Sequence, residues 1–392
     1  MNGAPGVTLR PLTEDDLASY LVLRDHSWGY ANGGAARADM RERLPESLGA
    51  FDETGRLLAS AAGPHIEAFV ARRRVRMLAV AAVQTMPTAR RRGLAAALLE
   101  RLLADARDGG LGWSLLYPFD PRFYARLGWQ ALPSGVRLSM STRWWTRPEP
   151  VEAEQVSGDL RVALQALHLR CAAGWSFSNA RTMGPRDTWA GLRPEPGRRG
   201  AAFRVEDGYA VVRLLETSPQ HLTLQVVDAA WCSAAGRRNV VGVLGAYQGQ
   251  VQRIELEVPR DDALAWDWST WWSVATNATP MARVVDLPAA LAAVGTTSDL
   301  PTVTLRVRDR WAPWNDGTWR LTPGADGCAV SAVASGASAT LDVRALPLLL
   351  GGAATPEAVV RAGLAEGDTT PVAVLAALSA GVTPHHRLAD YF

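Results

Sequence analysis

Apolar and polar positions change period several times along the chain, and each change marks an element. Thr13-Glu14-Asp15-Asp16 supplies a capping threonine and first-turn acids, and Leu17, Tyr20 and Leu21 follow at helical spacing. Ala50 to Ala62 and Arg76 to Met86 read as strands. Gly93 to Arg107 predicts an amphipathic helix, with Leu94, Leu98 and Leu102 on one face and Arg101, Asp105 and Asp108 elsewhere. Gly109-Gly110 ends it, and LGWSLLYPF (111–119) reads as a buried strand. FRVEDGYAVVRLLE (203–216) predicts a hairpin about Asp207-Gly208. LTLQVVDA, a helical stretch around 229–248 and QRIELEVP then read as β-α-β. A hairpin turn at Asp316-Gly317, a strand at 340–344 and helices near 345–350, 356–365 and 370–380 follow. The pattern gives an α+β chain of three units, 1–133, 134–282 and 283–392, with no short repeat or low-complexity linker.

Composition narrows the chemistry. A length of 392 residues suits two or three domains, and 48% hydrophobic residues is ordinary for a globular protein. No apolar run approaches the roughly 20 residues of a bilayer-spanning helix. The N-terminal stretch MNGAPGVTLRPLTEDD has no basic segment followed by an apolar core, so a cytoplasmic location without a membrane partner is expected. Cys171, Cys232 and Cys328 form no CxxC, which removes a disulfide framework and a zinc knuckle. The sequence has no lysine: all 41 Lys+Arg residues are arginine. A Walker A loop and a pyridoxal Schiff base are therefore excluded, and neither GxGxxG nor GxSxG occurs. A net charge of +2 argues against a general nucleic-acid binder. The 15 tryptophans suit packing.

The stretch VQTMPTARRRGLAAALLERLL (83–103) puts three arginines and a glycine at a helix start. Such a start carries unpaired N–H groups and partial positive charge, and binds phosphates readily. Gly93 lets an anion approach the backbone, and the arginines add charge-assisted hydrogen bonds. The alternative is a solvated basic turn before an ordinary helix. A second motif, FYARLGW (123–129), follows the next strand.

Arg90-x-x-Gly93-x-Ala95 resembles the R/Q-x-x-G-x-G/A motif of GNAT N-acetyltransferases, and FYARLGW resembles their F-Y-x-x-x-G-F segment. TEDD, VQTMPTARRRGL, YPFDPRFYARLGW, DGYAVVRL and the terminal Phe392 together resemble the Eis (enhanced intracellular survival) branch. That resemblance implies a GNAT domain with an acetyl-CoA site (1–133), a second GNAT-like mixed-sheet domain lacking the motif (134–282) and a sterol-carrier-protein-like α+β domain (283–392). It implies acetyl-CoA as co-substrate and no metal. Val83, Gln84 and Thr85 would meet the pantetheine arm through their backbone, and the Val83 N–H would stabilise the thioester oxyanion. Arg91, Arg92, Gly93, Leu94, Ala95 and Ala96 would hold the pyrophosphate, with Phe119 and Asp120 bordering the coenzyme. Tyr124 would be the general acid, since an ordinary phenol keeps its proton at neutral pH; the alternative is a core tyrosine. The α-carboxylate of Phe392 would be the base; the alternative is a frayed tail. His385 and His386, without a third ligand, suit packing or the surface.

The substrate pocket is where the sequence departs from the family. Tyr30 and Tyr391 stand where aminoglycoside-modifying relatives carry acids, with Trp28 nearby, and Asp25 and Asp390 are the carboxylates left to compensate. The expected acceptor is a primary amine of a small molecule: an aminoglycoside, a polyamine or an aromatic amine. A protein N-acetyltransferase and a non-catalytic lipid- or ligand-binding protein are the alternatives. Family resemblance also implies a homo-oligomer, a hexamer.

Overall fold

The structure, a computed structural model, describes residues 6–28, 40–41, 43–145, 150–182, 189, 192, 200–218, 221–264, 272–276, 279–296 and 299–390. Tyr30, Tyr391 and Phe392 lie outside the described residues.

The first unit is built on strands β1 (Val7–Pro11), β2 (Ser47–Asp52), β3 (Leu57–Ala62), β4 (His65–Val70), β5 (Arg73–Thr85), β6 (Trp113–Leu116) and β7 (Gln130–Ala131). Its helices are α1 (Leu17–Trp28), α2 (Leu94–Asp108) and α3 (Pro121–Arg126). Ala50–Ala62, expected as one strand, is a hairpin. Asp52 Oδ1 accepts from the backbone N–H groups of Thr54 and Arg56, each at 3.0 Å, and Gly55 takes φ +80°, so the chain reverses. β4, which the pattern did not single out, pairs with the first half of β5, while β3 pairs with its second half.

The sheet runs β1-β2-β3-β5-β6, then the strand Met281–Val284, then β7. That strand pairs antiparallel with both β6 and β7, so the expected cut between 282 and 283 falls inside a strand of the first sheet. The reason is burial: all four of its residues are enclosed, a pattern that only a central strand satisfies.

A seven-stranded second sheet holds Gly200–Val205, Gly208–Ser218, His221–Trp231 and Arg253–Val258, the last two parallel across the helix Ala234–Gly245, as β-α-β requires. A five-stranded third sheet centres on Val303–Arg308 and carries the helices Ala345–Leu350, Pro356–Arg361 and Thr370–Ala377. α2 packs Leu94, Leu98, Leu99 and Leu102 on Leu78, Val80 and Leu116 on one face of the first sheet. The other face, with Ile66, Met77 and Trp113, shares its core with Leu305, Leu341 and Leu349 of the third unit. Each buried leucine contributes roughly 1.5–3 kcal/mol, so this joint face is a core and not a loose domain contact. Among the described residues no helix is long and apolar enough to cross a membrane.

Candidate active site

β5 and β6 are parallel neighbours from Met77↔Trp113 to Val80↔Leu116, and there the pairing stops. Beyond it the strands part. Ala82 adopts φ +46°, and the β3 register slips between Ser60 and Ala62, so β5 is bulged at the parting. A cavity of about 160 Å³ opens between the strands, walled by Trp28, Val83, Tyr117, Phe119 and Tyr124. Three stretches far apart in sequence, at Trp28, Val83 and 117–124, thus meet at the end of two strands.

Tyr124 is buried on α3 and set by its aromatic neighbours: its ring meets Phe123 edge-on at 5.0 Å, Phe119 at 5.3 Å and Trp129 at 6.3 Å. Asp120 caps α3, accepting from the Arg122 N–H at 2.9 Å; its carboxylate has a structural task beside the one expected of it. Gln84 is buried, and its Nε2 donates to Ser60 Oγ at 2.9 Å. Phe119 is exposed and stacks on Phe123 at 5.5 Å.

Just beyond this same C-terminal end of β5 the chain enters the arginine loop. Arg91 takes φ +63° and Gly93 φ +79°, left-handed conformations of the kind found in backbone nests that gather N–H groups around an anion, here just ahead of α2. Gly93 has open space where a side chain would begin. A cavity of about 730 Å³ adjoins this loop, lined by Thr85, Arg90, Arg91, Gly93 and Ala95 together with Arg126. Leu94 and Ala96 also line it, Leu94 being a buried α2 core residue as well. Arg92 is exposed and is not in this wall, whereas Arg90 is. Asp25 is exposed on α1 and does not line either cavity.

The sequence favours a docked tail over a frayed one, and residues 383–387 are docked, on partners that the linear pattern does not name. Thr383–Pro384 pairs in parallel with Trp175–Ser176, and the His385 N–H donates to Ser176 O at 2.9 Å. His386 Nδ1 lies 2.6 Å from Phe177 O, and its ring is 5.4 Å from that of Tyr117. The Tyr117 hydroxyl donates to Arg387 O at 3.2 Å, which brings the tail to the rim of the small cavity. Both histidines are buried, not on the surface.

Beneath the tail lies a closed charge network. Arg181 pairs with Asp228 at 2.6 Å and Asp390 at 2.7 Å, and Arg387 with Asp228 at 3.0 Å and Asp390 at 3.3 Å, all at 0–2% side-chain exposure. Tyr209 donates to Asp228 at 2.8 Å and lies 2.9 Å from His168 Nδ1. Burial opposes the charge on Asp228, but Arg181 and Arg387 hold its pKa down at about 2; the same two arginines hold Asp390 lower still. Asp390 therefore cannot compensate for missing pocket carboxylates: its charge is enclosed and balanced. Arg387 and Asp390, two charged residues in a six-residue tail, were the signal available in sequence.

The chain is similar in sequence and fold to known proteins. Residues 8–132 match the family model of the acetyltransferase (GNAT) domain, and residues 287–387 match that of the sterol carrier protein domain. An uncharacterized N-acetyltransferase of Streptomyces coelicolor is 29% identical over 301 residues, spanning 69% of this chain and 70% of that protein. The crystal structure of Eis1 from Mycobacterium abscessus is 25% identical with a TM-score of 0.82, covering 98% of this chain and all (100%) of that one. A GCN5-related N-acetyltransferase from Anabaena variabilis, 18% identical, shares the fold at a TM-score of 0.87, with 98% and 100% coverage. The chain is an acyltransferase, with a GNAT N-acetyltransferase domain toward its N-terminal end and a sterol carrier protein domain toward its C-terminal end.

Proposed function

We propose that this chain is an acetyl-CoA-dependent N-acetyltransferase of Eis type that acetylates a primary amine of a small molecule. The observation that carries the reading is the meeting of Val83, Tyr124 and Trp28 in one cavity, with the tail tied to its rim at Tyr117. In this reading the pyrophosphate lies in the Arg91–Gly93 nest and the pantetheine arm runs along Val83–Thr85. The amine attacks the thioester carbonyl directly: a C–N bond forms, the C–S bond breaks, and Tyr124 gives its proton to the leaving thiolate. The Val83 N–H meets the developing oxyanion. The α-carboxylate of Phe392, directly or through water, takes the proton from the amine. The units are a coenzyme domain (1–133), a GNAT-like domain without the motif (134–282) and a sterol-carrier-like domain (283–392), with Met281–Val284 lent to the first sheet.

The neutralised Asp390 and the aromatic Trp28 favour an amine of low charge over a polycation. A thiol-release assay with acetyl-CoA and a panel of aminoglycosides, polyamines and arylalkylamines tests this. Release with the arylalkylamines above all is expected; release only with lysine-bearing peptides would move the reading to protein acetylation. Adding a glycine–serine tail after Phe392 turns the base into an amide carbonyl. Acetyl-CoA binding should survive and amine acetylation fall steeply; a tagged enzyme of full activity would remove the carboxylate from the mechanism. A hexamer is part of the same reading, and light scattering tests it.

A further inference from the structure

The large cavity beside the arginine loop is not closed by the first unit alone. Arg310 and Trp311, from the third unit, line it together with Arg90, Arg91, Phe123 and Arg126. Four arginines face one space, and among the described residues none of the four has an ion-pair partner. Asp309, next to Arg310 in sequence, does not neutralise it. Its carboxylate is buried, and both of its oxygens accept from Arg283 Nη2, each at 2.8 Å.

The same pair fixes where Arg310 and Trp311 stand. Asp309 Oδ1 accepts from the Trp311 N–H at 3.2 Å and the Ala312 N–H at 3.1 Å, and Asp309 Oδ2 accepts from Asn315 Nδ2 at 3.1 Å. Arg283 also donates to Leu127 O, one residue beyond Arg126. Gly128, at φ +90°, makes room: a Cβ there would fall 1.5 Å from Arg283 Nη1. The loop starting at Asp309 is thus bolted, through a buried guanidinium, to the turn that ends α3.

We propose that Arg310 and Trp311 of the third unit, with Arg126, form the subsite for the 3′-phosphoadenosine half of the coenzyme. This rests on the acetyl-CoA reading above. Coenzyme A carries three phosphates. Two form the pyrophosphate, which the nest and Arg90 and Arg91 suffice to hold. The third, on the ribose, is left for Arg126 and Arg310, because these complete the wall of the same cavity and have no carboxylate of their own. Trp311 gives the adenine a flat surface to stack on. The sterol carrier protein domain is then part of the coenzyme site, and the two units cannot be separated without loss of affinity.

The experiment is calorimetric titration of the full chain with acetyl-CoA and with 3′-dephospho-acetyl-CoA at about 0.1 M salt. Wild type is expected to prefer acetyl-CoA by about tenfold or more, the worth of a charge-assisted hydrogen bond. Arg310→Ala should cut that ratio by about tenfold while barely changing the dephospho compound's affinity. Trp311→Ala should weaken both compounds by about tenfold and leave the ratio in place, with Trp311→Phe recovering part of the loss. A ratio that Arg310→Ala leaves unchanged, or a wild-type ratio near one, overturns the subsite. Failure of wild type to bind either compound would instead overturn the acetyl-CoA reading itself. Unaltered thermal unfolding of Arg310→Ala, an exposed site, keeps its result interpretable.

Discussion

Lowering the pH from 7 to 5 should destabilise this protein while the buried carboxylates Asp228 and Asp390 stay ionised. His168 and His385 are fully enclosed. Burial, and then the nearby arginine charges, push the pKa of each down to about 3. His386 is moved in the same direction by burial. In the unfolded chain a histidine titrates near 6.5. Between the two values unfolding takes up a proton, so stability falls as pH drops below about 6.5. At pH 5 each of the two groups costs about 1.5 pH units times 1.36 kcal/mol, or about 2 kcal/mol, and the pair about 4 kcal/mol. Asp228 and Asp390 work in the other range. Their depressed folded pKa values give stability that is present above about pH 4 and lost only as pH falls toward their folded values. They change nothing between pH 7 and 5. With an unfolding entropy of about 2.1 cal/mol/K per residue, 4 kcal/mol lowers Tm by about 5 °C. Circular dichroism melts at pH 7, 6 and 5 measure it, and His385→Gln should remove about half of the slope. A Tm at pH 5 equal to that at pH 7 would refute the reasoning, because the histidines would then be protonated within the fold.

Other outcomes follow from the site and its supports. Tyr124→Phe should leave acetyl-CoA affinity nearly intact and lower kcat about 10²-fold or more; wild-type turnover would dismiss the general acid. Asp228→Asn leaves Arg181 and Arg387 facing Asp390 alone and should cost about 3–5 kcal/mol in urea unfolding; a loss below about 1 kcal/mol would show the network to be loosely enclosed. Gly128→Ala puts a methyl group against Arg283 and should destabilise by more than about 3 kcal/mol, with coenzyme affinity weakened as the Asp309 loop shifts; a neutral effect would mean that the Arg283 clamp does not hold that loop.

The sequence alone determined the local parts. α2 is legible because its leucines repeat at helical spacing over four turns and Gly109 ends it. The arginine loop is legible because strand, turn, charge and glycine are contiguous, and Tyr124 because its motif is contiguous too. The hairpin about Asp207-Gly208 and the β-α-β that follows came from periodicity and one turn dipeptide. What the linear pattern could not supply was partnership. Nothing in Met281–Val284 says that a strand 165 residues past Leu116 closes the first sheet, since four enclosed residues fit any central strand. Arg181, Asp228, Arg387 and Asp390 look like surface charges until folding brings them together and removes water, which makes their pairing obligatory. Arg310 looks like any exposed arginine. Only the buried Arg283–Asp309 clamp, a contact between two units, turns it toward the large cavity beside the arginine loop. Helix and turn signals act over a few residues and are written in order, whereas the site is assembled by long-range packing that sets distant charges and rings around one cavity.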